Sequence, residues 1–208
     1  DGWFRTKATQ TLPKADKQIK HGFNLSDNFT SSRLGLQWTF YREYAPKTVT
    51  VGSGNLSMQG KGTSAGSARY LLTTAEDKGY DVKVDLKTVS EQSGLMLFYN
   101  EKAYSGITTD GKKFYLYHRG QLVKTMPNKW GKKCTLRLRN LGEKMTAQAS
   151  RDGRTWTTLA LGMDLSAMNH NELRGFLAIR PGLMAMGKGT ATFSNFTYTS
   201  HKPSEKDM

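Results

Sequence analysis

From residue 34 onward the chain is written as short runs rich in alternating, β-branched and aromatic residues. Glycine- or aspartate-bearing turns cut the runs apart. LGLQWTFY, TVTVG, NLSMQG, ARYLLTT, YDVKVDLKTV, GLMLFYN, SGITTD, KFYLYHRG, QLVKTM, CTLRLRN, MTAQASRD, WTTLAL, GFLAIR and TATFSNFTYT each read as a strand. VGSGN, TTDGKK, HRGQ, NLGEK and SRDGRT read as the turns between them, with DGK and DGR as hairpin signatures because glycine takes positive φ at low cost. Only Met163 to Asn171 has the look of a helical turn. Short strands at this spacing predict an all-β chain folded as a two-sheet jelly-roll sandwich over residues 26–200. No repeat of 30 to 50 residues is visible, which argues against a propeller within this chain.

Residues 1–25 have little periodicity and carry lysines, Pro13, Trp3 and Phe4. They read as a linker or a clinging N-terminal arm. HKPSEKDM, residues 201–208, reads as a charged tail. The chain opens on Asp1, with no signal-like apolar segment after it, so we expect a piece of a longer product. No apolar run is long enough to span a membrane as a helix, so a membrane partner is not expected.

Lysine and arginine total 31 against 17 acids, a formal charge of +14. The basic residues are spread along the chain, and the tightest groups are Lys112–Lys113 and Lys132–Lys133 beside glycine. No arginine-rich helix or helix-turn-helix pattern accompanies them. A solvated surface is expected rather than a nucleic-acid partner, with a polyanion as the sharper alternative. The single cysteine, Cys134, has apolar neighbours, which predicts a packed and inert thiol.

Catalysis needs a constellation, and none emerges. The four histidines, His21, His118, His170 and His201, lack partners at metal-binding spacing, and HExxH is absent. No GxSxG elbow occurs, and GSGN and GKGTSAG lack the GK[ST] ending of a phosphate loop. Sugar hydrolysis would take two facing carboxylates. Asp110, Glu143 and Asp152 fall in turns, whereas Asp81 and Asp85 alternate along one strand. The chain alone is therefore not expected to be catalytic.

Aromatic side chains are what the sequence offers instead. Trp38, Phe40, Tyr41 and Tyr44 form one group; Phe98, Tyr99 and Tyr104 a second; Phe114, Tyr115 and Tyr117 a third. By strand alternation Leu95, Leu97 and Tyr99 share one face, with Met96, Phe98 and Asn100 on the other. Tyr115 and Tyr117 likewise oppose Phe114, Leu116 and His118. One side must line the core between the sheets. The other is either covered by a neighbouring element or an aromatic-lined face for sugar rings. On this reading LGLQWTFY is the first major strand, with Leu34, Leu36, Trp38 and Phe40 on one face, and REYAP is the loop beyond it. Candidate carbohydrate or domain-interface residues are Arg42, Tyr44, Tyr99, Asn100, Tyr104, Tyr117 and His118.

DNFTSSRLGLQWTFYRE, SGLMLFYNEKAYSGI with the following DGKKFYLY, ASRDGRTWTTL and GTATFSNFTYT occur in that order. They resemble successive motifs of the concanavalin A-like β-sandwich found at the C-terminus of many glycoside hydrolase family 43 enzymes, β-xylosidases and α-L-arabinofuranosidases. The likeness spans residues 26–199. It implies a five-bladed propeller catalytic domain N-terminal to this chain, a plant polysaccharide such as xylan as the substrate of the parent enzyme, and a periplasmic or extracellular setting. It also implies that the loop Arg42 to Pro46 reaches the propeller, with Tyr44 the aromatic at its active-site rim. Such sandwiches sometimes bind calcium through an early acid, here Asp27. The second acidic position of the family is occupied here by Ser194–Asn195. Three readings stand: an accessory module that supports the propeller, an independent lectin-like carbohydrate-binding module, and a purely structural sandwich.

Overall fold

In the computed structural model, residues 24–201 are described, apart from residues 45, 76 and 176. The expected N-terminal arm with Trp3 and Phe4, and the tail beyond His201, lie outside the described residues. The first sheet has seven strands in the order β1 (Thr39–Phe40), β4 (Arg69–Leu72), β13 (Arg180–Met186), β6 (Gln92–Asn100), β7 (Ala103–Thr109), β8 (Lys113–His118) and β9 (Gln121–Pro127). The second runs β12 (Trp156–Asp164), β11 (Lys144–Ser150), β10 (Lys133–Leu141), β5 (Gly79–Thr88), β14 (Thr190–His201), β3 (Asn55–Gln59) and β2 (Val49–Gly52). Strands β6 to β9 form a meander in one sheet, and β10 to β12 form another in the second. A short helix, α1 (His170–Leu173), overlaps only the end of the segment expected to turn helically, whose first residues, Met163 and Asp164, close β12. The Asn169 side chain caps α1 by accepting the N–H groups of Asn171 and Glu172.

Alternation explains the second sheet directly. Val82, Val84 and Leu86 of β5 and Leu136 and Leu138 of β10 point into the core. The residues between them, Lys83, Asp85, Arg137 and Arg139, are partly exposed on the other side. Leu95, Leu97, Tyr99, Ile107 and Leu183 of the first sheet meet this layer, all fully buried. Cys134 packs in the same core, and burial pushes its thiol up to about 12, as the expected inert cysteine requires.

The first sheet is apolar on both faces, and the structure decides between the two expected reasons. Segment 61–68, with a 3-10 turn at Ala65–Ser67, lies against the outer face. It buries Tyr70, Met96, Phe98, Tyr104 and Met184 in a second apolar layer, and Tyr70 donates its hydroxyl to the Ala65 carbonyl at 2.8 Å. Covering, not an open aromatic platform, accounts for most of these rings.

Two strand expectations are corrected. LGLQWTFY forms a strand only at Thr39–Phe40, after a turn around Leu36–Gln37. Leu36 is therefore fully exposed, while Trp38 is buried between Phe29 and Phe196, at ring distances of 5.9 and 4.9 Å. The Trp38 indole N–H donates to Asp27 Oδ2 at 2.8 Å, a local demand that overrides simple alternation. GFLAIR is not the strand either. Pairing begins at Arg180 and continues through PGLMAM, between β4 and β6. Pro181 is tolerated because it is the second residue of the strand and its carbonyl still accepts the Thr73 N–H.

The two-residue hairpins also sit elsewhere than the DG pairs. Arg119 and Gly120, at φ 50 and 81°, form the tight β8–β9 turn in the primed conformation that matches strand twist. At Asp110 and Asp152 the side chain shapes the turn instead. Each Oδ1 accepts two backbone N–H groups, from Lys112 and Lys113 or from Arg154 and Thr155.

Candidate functional site

The first sheet and the chain leaving β1 together build one exposed, pinned loop. Tyr41 lies edge-on to Phe98 at 4.8 Å, which roots it in the outer apolar layer. Its hydroxyl donates to Glu101 Oε2 in the β6–β7 turn. Burial first, then Glu101, raises the Tyr41 pKa, so the phenol stays a donor. Arg42 adopts left-handed backbone, φ 54°, a conformation that costs about 1 kcal/mol or more in a residue with a Cβ. Its guanidinium pairs with Glu101 Oε1 at 3.3 Å and lies over the Tyr41 ring at 5.2 Å. That pair is exposed and contributes little on its own.

Glu43 is the firmer anchor. Arg69 Nε donates to its Oε2 at 2.8 Å, and Lys61 Nζ approaches Oε1 at 2.8 Å. Arg69 is 8% exposed and also donates to the Gln59 carbonyl. The hydrogen bond from Arg69, ahead of the others, holds the Glu43 carboxyl below the usual range. Tyr44 follows this clamp and is 98% exposed. Residues on both sides of a bend are thus tied down while the next ring projects into solvent.

Beside the loop, Arg180 of β13 is half-buried on the outer face opposite Phe98 and makes no ion pair among the described residues. Burial lowers its pKa, and the Tyr41 hydroxyl partly offsets this. Farther along, Tyr117 donates to Gln92 Oε1 at 2.9 Å, as does the Thr108 hydroxyl, while Tyr115 donates to Asp110 Oδ2 at 2.9 Å.

The sequence candidates separate accordingly. Arg42 and Tyr44 are exposed on the loop. Asn100 is partly exposed in the adjacent β6–β7 turn, where its Oδ1 accepts the Lys102 N–H at 2.9 Å. Tyr104 and Tyr117 sit on the same face but are only 5% and 7% exposed. Tyr99 lies on the other side, inside the inter-sheet core, with its hydroxyl on the Gly175 carbonyl, so its ring has no face free for a sugar. His118 also points inward by alternation, near Asp164, and its Nδ1 is enclosed with no hydrogen-bond partner among the described residues. Burial lowers its pKa and favours the neutral ring. Glu43, Arg69, Glu101 and Arg180 escaped the sequence reading. Arg69 sits in ARYLL, which reads as plain strand, and its partner is 26 residues away.

The calcium expectation finds a poor donor set. Asp27 Oδ1 accepts the Phe29 N–H at 2.7 Å, and Oδ2 accepts the Trp38 indole. Asn195 commits its amide to Asp85 at 2.9 Å. Among the described residues no three His, Cys, Asp or Glu side chains converge. Calcium takes six to eight oxygens, and these groups do not fit it. Melting curves in calcium and in EGTA are expected to coincide; a rise of several degrees in calcium would put the ion back. Among the described residues no helix is long and apolar enough to cross a membrane.

Two stacked seven-stranded antiparallel sheets with an inter-sheet apolar core define a concanavalin A-like sandwich. The profile described as the β-xylosidase C-terminal concanavalin A-like domain matches residues 26–199, and the chain belongs to that family. No curated protein matches the sequence. Among solved structures, the family 43 glycoside hydrolase BlXynB of Bacillus licheniformis is similar, with TM-score 0.76 and 18% identity over 92% of this chain and 41% of that one. The xylan β-1,4-xylosidase of Bacillus halodurans C-125 gives 0.73 and 18%, over 90% and 41%. A functionally unknown protein of Saccharomyces cerevisiae gives 0.55 and 16%, over 80% and 97%. These identities carry the fold alone. The chain spans about 41% of the length of the two Bacillus proteins.

Proposed function

We propose that this chain is the non-catalytic sandwich module of a family 43 glycoside hydrolase acting on xylan or arabinoxylan-type polysaccharide. In this reading its first sheet buttresses a propeller catalytic domain, and the Tyr41–Tyr44 loop completes the rim of that domain's sugar site. The observation that carries it is Tyr44, 98% exposed directly after a clamped Glu43. A bare aromatic ring on a fixed stem loses little entropy on docking and offers a face for a sugar or an apolar neighbour. Family membership supports the class of parent, and the xylosidase among the similar structures supports the substrate class. A periplasmic or extracellular location follows from the same reading, since polymeric xylan is met outside the cytoplasm.

In the full-length protein, Tyr44→Ala is expected to lower kcat/KM on an aryl xyloside by about tenfold, the effect of about 1.4 kcal/mol. The chain alone is expected to give no turnover. An unchanged kcat/KM, or the absence of a propeller from the full-length product, would sink this reading. Calorimetry with neutral xylo-oligosaccharides addresses the lectin-like alternative: the isolated chain should give no heat that Tyr44→Ala abolishes.

A further inference from the structure

The outer face of the second sheet, on the opposite side of the sandwich from the Tyr41–Tyr44 loop, holds a polar cleft of about 520 Å³. Lys83 and Lys87 of β5, Lys133 at the start of β10 and Arg151 in the β11–β12 turn stand around it. None of the four forms an ion pair among the described residues. Sequence order scatters them over about seventy positions; strand pairing brings them together. Lys133 lies opposite Lys87 in the ladder, and Lys83 lies opposite Arg137. Neighbouring strands are about 4.8 Å apart, so like charges meet here at a cost that an anion would relieve.

The two carboxylates in the cleft make no ion pair with these cations and offset them only in part, two against four. Asp85 accepts the Thr135 hydroxyl at 2.7 Å and the Asn195 amide at 2.9 Å. Asp152 accepts the Arg154 and Thr155 N–H groups at 2.8 Å each and the Ser150 hydroxyl at 2.9 Å. Thr192, Ser194 and Asn55 add neutral hydrogen-bonding groups.

We propose that this cleft binds an acidic polysaccharide, taking the carboxylate of a uronic-acid unit between Lys83, Lys133 and Arg151. The chemistry selects a glycan over a nucleic acid. Sugar hydroxyls donate to carboxylates, so Asp85 and Asp152 are useful to a glycan whose charges are sparse. A nucleic acid would bring closely spaced phosphates against both of them. It would also want bare rings for base stacking. Trp156, on this face, has one side of its ring capped by the Arg137 guanidinium at 4.1 Å and does not line the cleft. The inference is independent of any contact with a catalytic domain and survives its failure.

The test is calorimetry on the full chain at low salt, comparing a xylo-oligosaccharide bearing one glucuronic acid branch with the unbranched oligosaccharide of equal length. The branched compound is expected to bind about tenfold more tightly, a preference that fades as salt rises. Lys83→Glu and Arg151→Glu should each abolish the preference, and Lys83→Gln should reduce it. Lys124→Glu, the same charge change on β9 of the other sheet, should leave it intact. Melting curves verify that each variant folds. Equal affinity for the two sugars, binding of neither, or tighter binding of single-stranded DNA at the same salt overturns the proposal.

Discussion

Glu43→Ala is expected to destabilise the sandwich by about 3 kcal/mol, near the lower end for breaking an enclosed ion pair. The change leaves the Arg69 guanidinium, 8% exposed, with the Gln59 carbonyl but no carboxylate. In a domain of this size that is a fall of roughly 6 to 12 °C in Tm. The double variant Glu43→Gln, Arg69→Met should recover much of the loss, because it removes the orphaned charge as well as its partner. The pH dependence has a definite sign. Arg69 depresses the folded Glu43 pKa, so the pair's contribution is complete above the unfolded carboxyl value of about 4.3. It is lost as pH falls through the lower folded value. The gap between wild type and Glu43→Ala should therefore be constant from neutral pH to about 5 and close below about 4. A gap that widens on acidification, or a single variant that melts within about 2 °C of wild type, contradicts the clamp.

Trp38→Ala should cost more, about 4 kcal/mol, because it empties a site between Phe29 and Phe196 that little else can fill. Trp38→Phe separates packing from polarity. It keeps an aromatic ring but removes the N–H that Asp27 Oδ2 accepts at 2.8 Å, and about 2 kcal/mol should go with it. Denaturant titration reads both. If Trp38→Phe equals wild type within about 0.5 kcal/mol, the Asp27 contact contributes nothing to stability.

Most of the architecture was legible because the central strands of the second sheet, β5 and β10, alternate along most of their length. YDVKVDLKTV and CTLRLRN place Val82, Val84, Leu86, Leu136 and Leu138 inward and Lys83, Asp85, Arg137 and Arg139 outward. Legibility failed where a residue answered to a remote partner. LGLQW reads as alternating, but the chain turns at Leu36 so that Trp38 can reach Asp27, and no local pattern encodes that reach. GFLAIRPGLMAM hides its strand behind a proline and methionines, neither of which signals β-structure. In the candidate site, Arg42 and Tyr44 were visible as unusual residues in a loop. What fixes them, Glu43 to Arg69 and Tyr41 to Glu101, pairs positions 26 and 60 apart and could be seen only once the strands were assembled. Tyr99 and Tyr117 show the reverse difficulty. The aromatic pattern is the same whether a ring is covered or bare, and only the assembled layers distinguish the two: Tyr99 lies in the core between the sheets, and Tyr117 in the outer layer that segment 61–68 helps to close.

The bridge between Asp27 and Phe196, with Ser26 held to Tyr198, puts the entry and exit of the sandwich side by side. Anything joined to either end therefore hangs from one corner of the domain. A neighbour attached there would be held at a single corner, and the proposed contact of Tyr44 would be a second, separate point of hold. The layout also means that tension applied through the two ends would open the molecule as a zipper, starting with this bridge, rather than shearing the sheets. New ends cut at the Arg119–Gly120 turn, with the old ones joined by a short linker, should leave the fold standing.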